Sequence, residues 1–257
     1  MSVAGESIAA AIRKASALRR VALVGYLTAG FPSRDLFREH LLAIASAADV
    51  VEIGVPFTDP MADGMTIQRA SHLALQAGVT LPWILEQLSS LEPRPTTPLL
   101  LMSYLNPLLA FGLQRLAAAA VRCGVAGFIV PDLPHEESAD LGRALAEQQI
   151  ALVQMVTPVT PPERLRILCA ASQGFVYAVT MTGTTGKSVA VPQEVIDYLD
   201  NVRAISGLPV CAGFGIRGAE QVRRLQGHVD GVVVGSALVE VLERGGDPRT
   251  LLTSMHP

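Results

Sequence analysis

VEIGVPFTDPMADGMTIQRAS, residues 51–71, contains a strand, a loop and the start of a helix, in that order. The opening run is apolar and rich in β-branched residues. Gly54 and Pro56 break it, and helical spacing begins after Gly64. A carboxylate, Glu52, stands inside the strand, and the loop holds two more, Asp59 and Asp63. Strand alternation puts Val50, Glu52 and Gly54 on one face and Val51 and Ile53 on the other. A charge buried among apolar side chains is unfavourable unless it is paired or neutralised. One acid in an apolar strand and another a loop away is what a two-carboxylate proton-transfer site requires. Taken singly, each acid has a plainer reading. Glu52 could pair with an arginine or a backbone amide, and Asp59 and Asp63 sit in turn-forming TDP and ADG.

The same strand-then-helix unit recurs on both sides. Continuously apolar runs occupy 21–29, 50–54, 98–104, 127–132, 151–158, 175–180, 209–215 and 231–236. Such runs suit parallel strands buried on both faces. Between them lie stretches with a 3.6-residue period, among them RDLFREHLLAIASAA, LPWILEQLSSL and PQEVIDYLDNVRAI. Ser33, Thr80 and Thr160 read as helix starts, with Pro82, Pro161 and Pro162 in first turns. Eight strands alternating with helices is the count of a (β/α)₈ TIM barrel, here one domain over 1–257. A doubly wound open sheet is the alternative. Residues 2–20 read as an extra amphipathic helix that would plug the barrel bottom.

Composition narrows the function classes. The 257 residues are half hydrophobic, with mean hydropathy +0.39 and a formal net charge of −3. That balance argues against nucleic acid or an anionic membrane as the main partner. Cys123, Cys169 and Cys211 form no CxxC pair, and the five histidines form no HxxxH pair. There is neither a signal-type apolar core nor a run long enough to span a bilayer, so a cytoplasmic location is expected. The only lysines are Lys14, in the N-terminal helix, and Lys187, in a loop. Neither is placed as a desolvated imine-forming amine, so carbon–carbon cleavage here would run on general acid–base chemistry.

Chemistry in a parallel barrel gathers at the C-terminal ends of the strands. Asp132, in PDLP after the fourth strand, joins Asp59 and Asp63 as a possible acidic rim. The last three strands run into MTGTTGKS (181–188), AGFGI (212–216) and VGSALVEVL (234–242). Glycines there let bare amides approach phosphate oxygens, and Ser236 opens a short helix whose N-terminus favours an anion. TGTTGKS fails the P-loop pattern because Met181 stands where glycine is needed. The segment better suits a lid over a phosphate.

These motifs together resemble one family. VEIGVPFTDPMADGMTIQRA, LMSYLNPLLAFG, VPDLPHEES, TPVTPPERL, VYAVTMTGTTG and GFGIRGAEQV are similar, in order and spacing, to the tryptophan synthase α subunit. The resemblance implies a barrel that cleaves indole-3-glycerol phosphate to indole and glyceraldehyde 3-phosphate. It implies Glu52 as general acid–base and Asp63 as the group holding the indole N–H. It places Tyr26, Leu101, Tyr177 and Phe214 at the indole pocket. Gly186, Gly215, Gly235 and Ser236 fall at the phosphate site, and Thr185 in the lid. It implies no cofactor in this chain, a β subunit carrying pyridoxal phosphate as partner in an α–β–β–α assembly, and contact near residues 55–65, Asn106 and Pro107.

Three positions depart from the family pattern: Phe31, Met65 and Thr184. The first two are expected near the β-facing rim. A free-standing lyase that releases indole is the competing reading, and a catalytically silent barrel that only binds a partner is a third.

Overall fold

The computed structural model describes residues 2–180, 191–213 and 215–256. Its strands are β1 (Ala22–Thr28), β2 (Val50–Gly54), β3 (Leu99–Met102), β4 (Val125–Ile129), β5 (Ala151–Val156), β6 (Val176–Val179), β7 (Val210–Gly213) and β8 (Gly231–Val234). All neighbours pair in parallel, and β8 closes on β1, giving a closed barrel in sequence order. The helices are α1 (Val3–Ala17), α2 (Phe37–Ala45), α3 (Met65–Gln76), α4 (Leu81–Ser89), α5 (Leu105–Phe111), α6 (Leu113–Arg122), α7 (Ala139–Glu147), α8 (Pro162–Ala171), α9 (Gln193–Ile205), α10 (Ala219–Leu225), α11 (Ser236–Glu243) and α12 (Pro248–Ser254). No helix among the described residues is long and apolar enough to cross a membrane.

Strand alternation sorts the apolar residues into two cores. Val51, Ile53, Leu99 and Leu101 point outward and pack in the layer between barrel and helices. Val24, Val50, Leu100, Ala151, Val153, Phe175 and Cys211 point inward. The expected plug is present. Ser2 caps α1 by accepting from the Gly5 amide at 3.1 Å, and Ile8, Ile12 and Ala15 join the inward core. The lower half of the barrel is therefore filled with hydrocarbon, and a cavity opens at the C-terminal mouth.

The strands are mostly shorter than the apolar runs. The ends of those runs, such as residues 103–104 and 130–132, leave the sheet and build the mouth loops. Of the three expected helix starts, only Thr80 is an N-cap, accepting from the Trp83 amide. The helix after Ser33 begins at Phe37, and Thr160 instead holds the Thr157 amide at 2.9 Å. Phe31, expected near the rim, is 3 % exposed and belongs to the outer core. Apolar contact fixes it there, where it offers little surface to a partner.

Candidate active site

The loop after β2 is tied to α3 and to the neighbouring strand by side chains. Ser71 of α3 accepts from the Phe57 amide at 2.8 Å and donates to the Phe57 carbonyl at 3.1 Å. Gln68 donates to the Asp63 carbonyl at 2.8 Å. Tyr104, just beyond β3, accepts from the Ala62 amide at 2.9 Å and donates to Asp63 Oδ2 at 3.1 Å. Its ring stacks on Phe57 with centroids 4.9 Å apart. These contacts hold Asp63 over the barrel mouth.

Beneath Asp63 lies a cavity of about 260 Å³. Each of β1 to β6, and β8, contributes one inward residue to its wall: Tyr26, Glu52, Met102, Ile129, Met155, Tyr177 and Val233. Asp63, Ile67, Gly215, Arg217, Gly235 and Ser236 line its upper part. The lining is mostly apolar with a few convergent polar groups, the usual character of a small-molecule site.

Glu52 is 3 % exposed, and its Oε2 has no hydrogen-bond partner among the described residues. Burial, and then the nearby charge of Asp63, push its pKa up to about 8. Burial also raises Asp63, to about 6, although the hydrogen bond from Tyr104 pulls the other way. The two acids therefore hold different protonation states near neutral pH: Glu52 mostly protonated, Asp63 mostly ionised.

Two tyrosines flank this pair, and each depends on a glycine of the adjacent strand. A Cβ on Gly54 would come within 2.1 Å of the Tyr26 hydroxyl, and one on Gly213 within 2.3 Å of the Tyr177 ring. Only bare backbone leaves room for rings lying across the strands. The Tyr26 hydroxyl is 3.1 Å from Thr28 Oγ1. Burial and then the neighbouring carboxylates raise both phenols well above their ordinary pKa, so both stay neutral.

At the other end of the cavity, Gly215 has φ +86°, a conformation that favours glycine. A Cβ on Gly235 would make only ordinary contact with Ile67. The protein's own packing thus does not demand glycine there, and the open side faces the cavity. Gly235 precedes α11, whose first turn has no side-chain cap, so its amides are available to an anion.

The structure brings together Glu52, Asp63, Tyr26, Tyr177, Gly215, Gly235 and Ser236. Thr184, Thr185, Gly186, Lys187 and Phe214 lie outside the described residues. Leu101 needs correction. It points into the outer core, and the inward residue at that height is Met102. The acidic rim also contracts to Asp63. Asp59 accepts from Thr58, and Asp132 accepts from the Leu105 amide at the start of α5; neither lines this cavity. Met65, the first residue of α3, both lines the cavity and is 79 % exposed, so it does stand at the rim. Sequence reasoning missed Met102, Tyr104 and Arg217. An aromatic residue just past a strand end, and an arginine following the AGFGI glycines, were the available signals.

Comparisons with known proteins identify the family. The family model for the tryptophan synthase alpha chain matches residues 12–255. Among curated relatives, the tryptophan synthase alpha chain of Nitratidesulfovibrio vulgaris is 43 % identical over 242 residues, covering 94 % of each chain. That of Desulfovibrio desulfuricans is 45 % identical, covering 91 % of this chain and 93 % of the relative. Among solved structures, tryptophan synthase from M. tuberculosis superposes with a TM-score of 0.87 at 32 % identity, covering 97 % of both chains. The tryptophan synthase A-subunit of Pyrococcus furiosus gives 0.84 at 34 %, covering 91 % of this chain and 97 % of that one. With a matching family model over nearly its whole length and relatives above 40 % identity, the chain belongs to the tryptophan synthase alpha chain family.

Proposed function

We propose that this chain cleaves indole-3-glycerol phosphate to indole and glyceraldehyde 3-phosphate, with Glu52 as acid–base and Asp63 as the indole anchor. The observation that carries the reading is a buried Glu52, its Oε2 without a partner among the described residues, poised near pH 8 beside an Asp63 poised near 6. Glu52, protonated, gives its proton to the ring carbon that bears the side chain. Asp63, ionised, accepts a hydrogen bond from the indole N–H and stabilises the positive charge that develops on that nitrogen. The side-chain hydroxyl next to the ring then loses its proton to Glu52 while the carbon–carbon bond breaks. The electron pair returns to the ring, the hydroxyl carbon becomes the aldehyde, and Glu52 ends as it began. Tyr26, Met102, Ile129 and Tyr177 hold the ring. The amides of Gly235 and Ser236 face the phosphate.

The partner in this proposal is a β subunit that receives indole, in an α–β–β–α assembly, with pyridoxal phosphate held there and not here. A solved tryptophan synthase complex from Pyrococcus furiosus, whose chain is 33 % identical to this one, supports that partner. So do Met61, on the loop after β2, and Met65, at the start of α3, large apolar side chains that are mostly exposed.

Indole release from indole-3-glycerol phosphate, measured with and without a cognate β subunit, tests both parts. Weak release that rises strongly with β is the expected result. Fast release indifferent to β would overturn the partner, and no release under either condition would overturn the reaction.

A further inference from the structure

A second cavity, of about 400 Å³, opens between the loops that follow β4 and β5 and the start of α8. It lies behind the barrel wall. On β5, Ala151 and Val153 belong to the inward core, while Leu152 and Val156 belong to the outer one. Gln154 shares the outward face with them, the one polar side chain in an otherwise apolar strand. It is 8 % exposed and lines this cavity. Its backbone amide is bound by Ser172 Oγ at 2.9 Å, yet its carboxamide has no hydrogen-bond partner among the described residues. His135, also on the cavity wall, has a buried Nδ1 that is likewise without a partner. Buried polar groups are as a rule satisfied by protein, water or ligand. The Gln154 carboxamide opens onto the cavity and the His135 Nδ1 is buried beside it, so the wall presents polar groups that an occupant can satisfy.

The surrounding charges select the occupant. Arg164 is the cation on the wall, and Glu136 already engages both of its terminal nitrogens. Asp132 adds a carboxylate to the lining. An anion would therefore meet a guanidinium already engaged by Glu136 and the negative charge of Asp132. The carboxamide of Gln154 offers a donor and an acceptor side by side, which a second carboxamide matches in reverse. Leu152 and Leu168 supply apolar walls for the body of a ligand.

We propose that this cavity is a second small-molecule site, selective for neutral compounds that carry a carboxamide on a small apolar body. Pro131 and Met155 line both this cavity and the main one, so an occupant would lean on a wall that the two share. The site does not depend on the reaction assigned to the main cavity.

Benzamide is the probe, titrated into the full chain and followed by protein NMR. Saturable shifts are expected at the Gln154 side-chain amide and at the Thr157 and Thr160 amides. Gln154→Leu should weaken binding about tenfold or more, with its melting temperature showing that it still folds. Gln154→Met, closer in length, serves if the leucine variant does not fold. Benzoate, with the same body and an anionic head, should bind about tenfold more weakly than benzamide. Absence of saturation, shifts confined to residues around Tyr177 and Gly235, or equal affinity in the Gln154 variants would overturn the proposal and leave a cavity that holds ordered water only.

Discussion

The two ends of this barrel use the same strands and treat their carboxylates in opposite ways. At the N-terminal end, Asp49 and Asp230 each stand immediately before a strand. Asp49 accepts both terminal nitrogens of Arg20 at 2.6 Å and the Leu23 amide at 2.9 Å. Asp230 accepts the Val210 amide at 2.8 Å and Arg203 at 3.2 Å. Three residues beyond Asp49, toward the other end of β2, Glu52 is more deeply buried and has an oxygen without a partner among the described residues. Asp63 above it has a neutral phenol as its partner and, among the described residues, no cation. An acid with its cation and amide in place is satisfied as an anion. An acid buried without them is pushed toward the pH at which it can exchange a proton. One strand thus carries a structural acid at its foot and a reactive one near its head.

The largest effect expected from breaking this contrast is at Glu52. Glu52→Gln keeps the shape and removes the exchangeable proton. Indole release should fall by about 10² to 10⁴, the usual worth of a positioned acid–base group. Binding of inorganic phosphate at the Gly235 end should hardly change. Retention of more than about a tenth of the parent rate would remove Glu52 from its acid–base role.

The same substitution should also stabilise the fold, in a manner that depends on pH. The Glu52 carboxyl is raised in the folded chain from an ordinary 4.5 to about 8, so between those values the folded state binds the extra proton. Stability linked to this group is intact below pH 4.5 and is lost as the pH rises toward 8. A carboxamide at this position cannot ionise and escapes that loss. The variant should match the parent near pH 4.5 and exceed it near pH 8.5, by up to about 5 kcal/mol in urea unfolding. A constant difference across that window would mean that Glu52 is not held protonated by burial.

At the foot of the strand the expectation reverses. Asp49→Ala leaves Arg20 and the Leu23 amide without their acceptor and should cost about 2–3 kcal/mol of stability. Turnover per folded molecule should be unchanged, because the inward core and the plug of Ile8 and Ile12 lie between this acid and the cavity. A variant that folds normally but turns over slowly would erase the division between the two ends.

The division also explains what was legible in the sequence. The barrel was readable because eight buried strands need eight apolar runs, and the spacing between runs leaves room for a helix each time. Glu52 and Asp63 were readable because an acid in an apolar strand and a turn acid beyond it are chemically conspicuous. Leu101 was misplaced by one residue, toward the wrong face. In LLLM nothing alternates, so the run carries no mark of which leucine points inward, and a shift of one exchanges the two faces. Phe31 failed for a related reason. A position just past a strand looks like rim, and only packing against the helix layer shows that it is buried. Gln154 and Tyr104 act through partners or cavities that meet them across the fold, and no local spacing encodes that.

Tyr104 gives the smallest and sharpest test of the reactive end. Its hydrogen bond lowers the Asp63 pKa against the burial that raises it. Tyr104→Phe removes the hydroxyl and keeps the ring stacked on Phe57. Asp63 should then ionise at a pH above 6, and the acidic limb of kcat/KM should move the same way. The alkaline limb, governed by Glu52 near 8, should stay in place. At pH 6 the variant should be slower by about fivefold or more, since a hydrogen bond to an ionised carboxylate is worth at least about 1.5 kcal/mol, and the gap should narrow toward pH 7.5. A uniform loss at every pH would mean that Tyr104 merely braces the Ala62 amide and the loop. A limb that moves while the plateau holds would mean that a neutral phenol, where the foot of the barrel uses an arginine, tunes Asp63 into the working range without pinning it there.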